Sequence, residues 1–70
     1  MIGRTEEGGL SPRELQILRL VVEGSSNKEL SRKLFVSENT VETHLRRIYL
    51  KLSTKNRTQA VSKAREKGII

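Results

Sequence analysis

The apolar positions of this chain fall into four runs of helical period separated by short polar breaks. The clearest run is Ser37 to Leu52, where Val41, Leu45, Ile48 and Leu52 share a narrow stripe at about 100° per residue. Asn39, Thr43, Arg46, Arg47 and Leu50 fall on the opposite side. Glu42 and Tyr49 occupy one flank, His44 and Lys51 the other. The start of this segment is well specified. Ser37 is a good N-cap for the backbone N–H of Thr40, and Val36 and Val41 are placed for a hydrophobic staple. The pattern predicts a helix over 38–52, seated on a core by one face and offering polar, mostly basic groups by the other.

The other runs are shorter. Leu10 is placed to staple to Leu15, Ser11 to cap, Pro12 to occupy the first helical position and Glu14 to complete a capping box. That helix should run to about Glu23 and stop at Gly24. Leu15, Ile17, Leu18, Leu20, Val21 and Val22 leave little of it polar, so it should be the most buried helix. Ser26 and Glu29 form a second capping box, with Leu30 and Leu34 inward and Lys28, Arg32 and Lys33 outward. Glu29 and Lys33 stand four apart, the order that favours an ion pair. Phe35-Val36-Ser37 is then a three-residue turn. Two helices joined in this way, the second long and basic, make a helix-turn-helix pattern. After Leu52, Asn56 can cap a fourth helix with Gln59 at its third position, Ala60, Val61 and Ala64 inside and Gly68 at the end. Ile69 and Ile70 either fold back or stay exposed. Met1 to Gly9 has no periodicity and reads as a flexible tail or linker remnant, leaving one all-α domain of four helices over 10–70.

Composition narrows the chemistry. Lys and Arg number 14 against 8 acidic residues, all Glu, for a net charge of +6. That balance suits a polyanion. Tyr49 and Phe35 are the only aromatics, which weighs against single-stranded nucleic acid, where bases stack on aromatic platforms. There is no Cys and one His, His44, so thiolate metal sites, Cys nucleophiles and histidine clusters are excluded. His44 lies at the edge of the core stripe and reads as a packed or hydrogen-bonded residue, with a phosphate contact as the alternative. No run approaches a signal or membrane segment, so a soluble cytoplasmic domain without cofactor or membrane partner is expected.

Taken together, LSPRELQILRLVVEG, SNKEL, SENTVETHLRRIYLKL and KNRTQAV resemble the LuxR-type (GerE-type) helix-turn-helix domain of bacterial transcription regulators. The resemblance covers Leu10 to about Gly68. It implies a four-helix DNA-binding domain of the kind that ends two-component response regulators and autoinducer receptors. Its third helix would enter the major groove and its fourth would contribute to dimerisation. Double-stranded DNA, a second copy of the chain on that DNA and RNA polymerase are the partners it implies. Three positions depart from the pattern: Ser31 stands for the usual Ala, and Ser53 and Thr54 for the usual Gly and apolar residue. Ser53 is therefore expected to adopt a conformation that Gly accepts more readily.

A helix in the major groove meets base edges with its N-terminal half. The outward residues there are Asn39, Glu42, Thr43 and Arg46, and the resemblance places base contacts at the last three. Arg46 suits guanine O6 and N7, Glu42 cytosine N4, and the Thr43 methyl thymine. Glu42 and Arg46, four apart, can instead pair with each other on a solvated face. Phosphate contacts are expected from Lys28, from Ser37 and Thr40 at the start of the helix, and from Arg47, Lys51, Lys55 and Arg57.

Overall fold

A computed structural model of the chain describes residues 9–69, so the segment expected as a tail lies outside the described residues except for Gly9, as does Ile70. All regular structure in this range is helical: α1 (Pro12–Val22), α2 (Asn27–Leu34), α3 (Glu38–Lys51) and α4 (Arg57–Glu66). Each helix begins at the expected cap. Ser11 Oγ accepts from Glu14 N (3.2 Å) while Glu14 Oε1 accepts from Ser11 N (2.9 Å). Ser26 and Glu29 repeat the arrangement at 3.1 and 2.8 Å. Ser37 Oγ takes Thr40 N at 3.0 Å, and Asn56 Oδ1 takes Gln59 N at 2.9 Å. A cap of this kind contributes about 1 kcal/mol. Four of them matter in a domain of this size.

The helix ends also share one solution. At each, a residue turns left-handed and the next N–H reaches back across the last turn: Ser25 N to Leu20 O, Val36 N to Ser31 O, Thr54 N to Tyr49 O and Ile69 N to Ala64 O. Gly24 and Gly68 accept this backbone freely, at φ 100° and 71°. Phe35 and Ser53, both at φ 59°, do so against the steric preference of a side chain. Ser53 thus takes the conformation expected where the usual residue is Gly. Thr54 Oγ1 closes on Tyr49 O (3.2 Å) and Ser31 Oγ on Lys28 O (2.7 Å), so the other two departures are satisfied locally. Ser53→Gly should therefore raise stability by about 1 kcal/mol. A rise in the urea midpoint tests this, with Ser53→Ala, which keeps the Cβ, expected to give no comparable gain.

α3 organises the packing, because it contacts all three other helices. Its stripe of Val41, Leu45, Ile48 and Leu52 is buried, together with Leu15, Ile17, Leu18 and Val21 of α1 and Leu30 and Leu34 of α2. Leu10 and Ile69 belong to the same buried cluster, so Ile69 folds back onto the core. α4 contributes Ala60 and Ala64, both fully buried, and such small side chains let it lie close to α1 and α3. The expected Glu29–Lys33 pair gives way to other partners. Glu29 is used in its capping box, and Lys33 Nζ donates to Ser25 Oγ (3.2 Å).

Among the described residues, one charged group lies in the interior. The Glu14 carboxylate is 5% exposed as a residue, and its Oε1 accepts from both Ser11 N (2.9 Å) and Lys51 Nζ (2.7 Å). Burial pushes its pKa up. The hydrogen bond and charge of Lys51, with the bonds from Ser11, outweigh that and hold it below the ordinary carboxylate value. The pair ties the first turn of α1 to the last residue of α3.

Candidate nucleic-acid interface

With one side of α3 sealed against the core, the other faces solvent. Asn39, Glu42, Thr43, Arg46, Arg47 and Leu50 are all exposed. The groups expected to meet bases thus stand on one accessible face, and none is covered by another part of the described chain. Glu42 Oε1 and Arg46 Nη2 approach to 3.9 Å, with the Arg46 side chain 76% exposed. At that length and exposure the pair is loose and leaves the guanidinium able to take a better partner. Thr43 Oγ1 donates to Asn39 O at 3.1 Å within the helix. With its hydroxyl engaged there, the methyl is the group Thr43 has to offer.

Polar groups collect at the entry of α3. Ser37 Oγ and Thr40 Oγ1 lie 2.9 Å apart, and Ser37 Oγ also accepts from Thr40 N. The first-turn N–H groups and helix dipole favour an anion at this point. Lys28, near the start of α2, and Lys55, in the loop before α4, are exposed. The loop is held by Lys55 N donating to Gln59 Oε1 (2.8 Å). A shallow groove lined by Asn27, Glu42, Leu45, Arg46 and Tyr49 runs between α2 and α3, bringing Asn27 beside the candidate base-reading residues.

Two expected phosphate ligands are engaged within the domain. Lys51 is bound by Glu14, because the buried carboxylate requires a counter-charge and Lys51 is the cation within reach. Arg57 Nη1 donates to Asn27 Oδ1 (3.1 Å) and Nη2 to Ser25 O, fastening the start of α4 to the turn between α1 and α2. Both of these guanidinium donors are committed to neutral partners, so its reach is spent. Neither engagement is visible in sequence, since the partners stand 37, 30 and 32 residues away. His44 is half-buried at the edge of the stripe, and Tyr49 is packed against the core. Among the described residues no group of His, Cys, Asp and Glu could hold a metal ion, and no helix is long and apolar enough to cross a membrane.

Comparison with known proteins shows the family of the chain. Residues 9–64 match the family model described as bacterial regulatory proteins, luxR family. The CsgBAC operon transcriptional regulatory protein of Escherichia coli K12 is 52% identical over 62 residues, 89% of this chain and 29% of that protein. The HTH-type transcriptional regulator AlkS of Pseudomonas putida is 39% identical over 61 residues, 87% of this chain and 7% of that protein. Among solved structures, the response regulator ChrA of a heme-sensing two-component system superposes with a TM-score of 0.84 at 46% identity. That match covers 99% of this chain and 33% of ChrA. The chain therefore spans less than a third of the length of the curated relatives named here.

Proposed function

The chain belongs to the luxR family of bacterial regulatory proteins, as a helix-turn-helix DNA-binding domain rather than an enzyme, and from that premise we propose that it reads double-stranded DNA with α3 in the major groove. The observation that carries this reading is the free face of α3, where Thr43 and Arg46 stand exposed opposite the buried stripe. Arg46 takes guanine O6 and N7 in a bidentate pair, the Thr43 methyl meets thymine, and Asn39 lies at the groove entrance. Glu42 either accepts from cytosine N4 or steadies Arg46 through their 3.9 Å approach. Lys28, Ser37, Thr40, Arg47 and Lys55 hold phosphates, while Lys51 and Arg57 act inside the domain.

In this reading the domain is the output of a cytoplasmic transcriptional regulator. Two copies bind as a homodimer on two half-sites, α4 contributes to their contact, and RNA polymerase is the further partner. A protein-interaction module that kept the fold and lost DNA is the second reading. It is favoured by Glu38 and Glu42, exposed on the same side as the proposed base contacts. Salt separates the two. Binding through phosphates weakens linearly in log[salt], with a slope near −0.9 per phosphate neutralised.

Selection of bound duplexes from a random library tests the proposal. Enrichment of one sequence, with half-sites repeating about one helical turn apart, is expected. Recovery of no preferred duplex would count against it. Lys55→Ala should weaken binding to all sequences alike and lower the salt slope by about one. An unchanged slope would remove Lys55 from the phosphate contacts.

A further inference from the structure

The groove between α2 and α3 holds a polar side chain with one end engaged and the other open. Asn27 lines this groove together with Glu42, Leu45, Arg46 and Tyr49, and is half-buried. Its amide has a fixed orientation. Arg57 Nη1 donates to Asn27 Oδ1 at 3.1 Å, and a guanidinium can only donate, so the amide oxygen must lie on the Arg57 side. Turning the amide over would set an N–H group against the guanidinium. Arg57 is held in turn by its bond from Nη2 to Ser25 O, and it does not line the groove. Nδ2 is therefore the end of the amide left to the groove. Among the described residues nothing accepts its hydrogens, and no buried side-chain nitrogen or oxygen lacks a partner, so Nδ2 is open to solvent. Fastening α4 to the turn before α2 needs Oδ1 alone.

What this donor can meet follows from its place. In a helix-turn-helix the second helix of the pair enters the groove while the first crosses the DNA backbone. Asn27 belongs to that first helix, α2, and shares a groove with Arg46 of the second. Side-chain amides are among the groups that hold phosphate oxygens and so fix the register of a protein on the duplex. We propose that Asn27 is a phosphate-binding residue, donating through Nδ2 to a backbone oxygen beside the base pair read by Arg46. The inference rests on the placement of α3 in the major groove. It adds to the basic contacts a neutral one of different character. Its direction is set inside the protein, by Arg57, before DNA arrives.

The experiment uses the 70-residue chain and the duplex that it selects from a random library. Each phosphate of the site is replaced in turn by a methylphosphonate, in which a methyl stands for one charged oxygen. Binding is measured for the natural chain, Asn27→Ala and Asn27→Asp. Aspartate keeps an oxygen for Arg57 and removes the donor, so Asn27→Asp should retain the thermal melt of the natural chain and still bind poorly. Asn27→Ala should bind all sequences about ten-fold more weakly, the factor matching about 1.5 kcal/mol for a hydrogen bond to a charged group at 1.4 kcal/mol per decade. Its salt slope should not change, because a neutral donor releases no counterion. At one phosphate the methylphosphonate should weaken the natural chain far more than Asn27→Ala. There Asn27→Asp should bind the substituted duplex at least as well as the unsubstituted one, since its carboxylate no longer faces a charge. If every methylphosphonate weakens the natural chain and Asn27→Ala by equal factors, Asn27 holds no phosphate and the proposal falls while the groove assignment stands. A loss confined to one base-pair identity would make Asn27 a base reader and overturn the proposal as well. If the natural chain selects no duplex, the groove assignment itself falls and takes this inference with it.

Discussion

Arg46→Ala should lower affinity for the preferred duplex by about 1–3 kcal/mol, roughly five- to 150-fold, and relax the preference at one base pair. Affinity for random DNA should fall much less. The asymmetry follows from the geometry. A bidentate pair with guanine forms only when the correct base is present, whereas a charge near phosphates acts on every sequence. Folding should be untouched, because the side chain is 76% exposed and its link to Glu42 is a loose one at 3.9 Å. Arg46→Lys refines the test. It keeps the charge and loses the planar fork, so it should restore binding to random DNA more than binding to the preferred duplex. Equal losses on both DNAs for Arg46→Ala would remove Arg46 from base reading.

On the other side of the same helix the expectation reverses. Ile48 has no exposed surface and sits where α3 meets the rest of the core. Ile48→Ala should lose about 2–5 kcal/mol of stability, the cost of the missing methyls plus the cavity they leave. A domain of this length has little in reserve, about 0.05–0.15 kcal/mol per residue, so the variant should be largely unfolded or close to it at ambient temperature. Urea unfolding measures the loss. Leu50→Ala, two residues further along, should shift the midpoint by less than about 0.5 kcal/mol. A small loss at Ile48, or a large one at Leu50, would mean that the helix is rotated from the orientation described.

The contrast between Ile48 and Arg46 also marks what could be read from the sequence. Caps are local chemistry: Ser11 with Glu14, Ser26 with Glu29, Ser37 with Thr40 and Asn56 with Gln59 are each three residues apart, and all four form. The buried stripe of α3 follows from its period alone, and so does the exposure of Asn39, Glu42, Thr43 and Arg46. Interactions that require the fold were not legible. Lys51, Lys55 and Arg57 look alike as basic residues after the main helix, yet Lys51 meets Glu14, Arg57 meets Ser25 and Asn27, and Lys55 stays exposed. Glu14 announced its capping role and hid its ion pair, since Lys51 comes near it only once α1 and α3 pack. Phe35 gave no sign that it would turn left-handed at φ 59°, because nothing in its side chain favours that backbone. At Ser53 the same conformation was foreseeable, from the Gly that the family pattern places there.

The most direct test of the account follows the backbone amide resonances of the chain as the selected duplex is added. The largest shifts should fall on the exposed face of α3 from Asn39 to Leu50, with further shifts at Lys28, Ser37 and Lys55. Shifts concentrated on the outer surfaces of α1 and α4, with Thr43 and Arg46 unmoved, would contradict it.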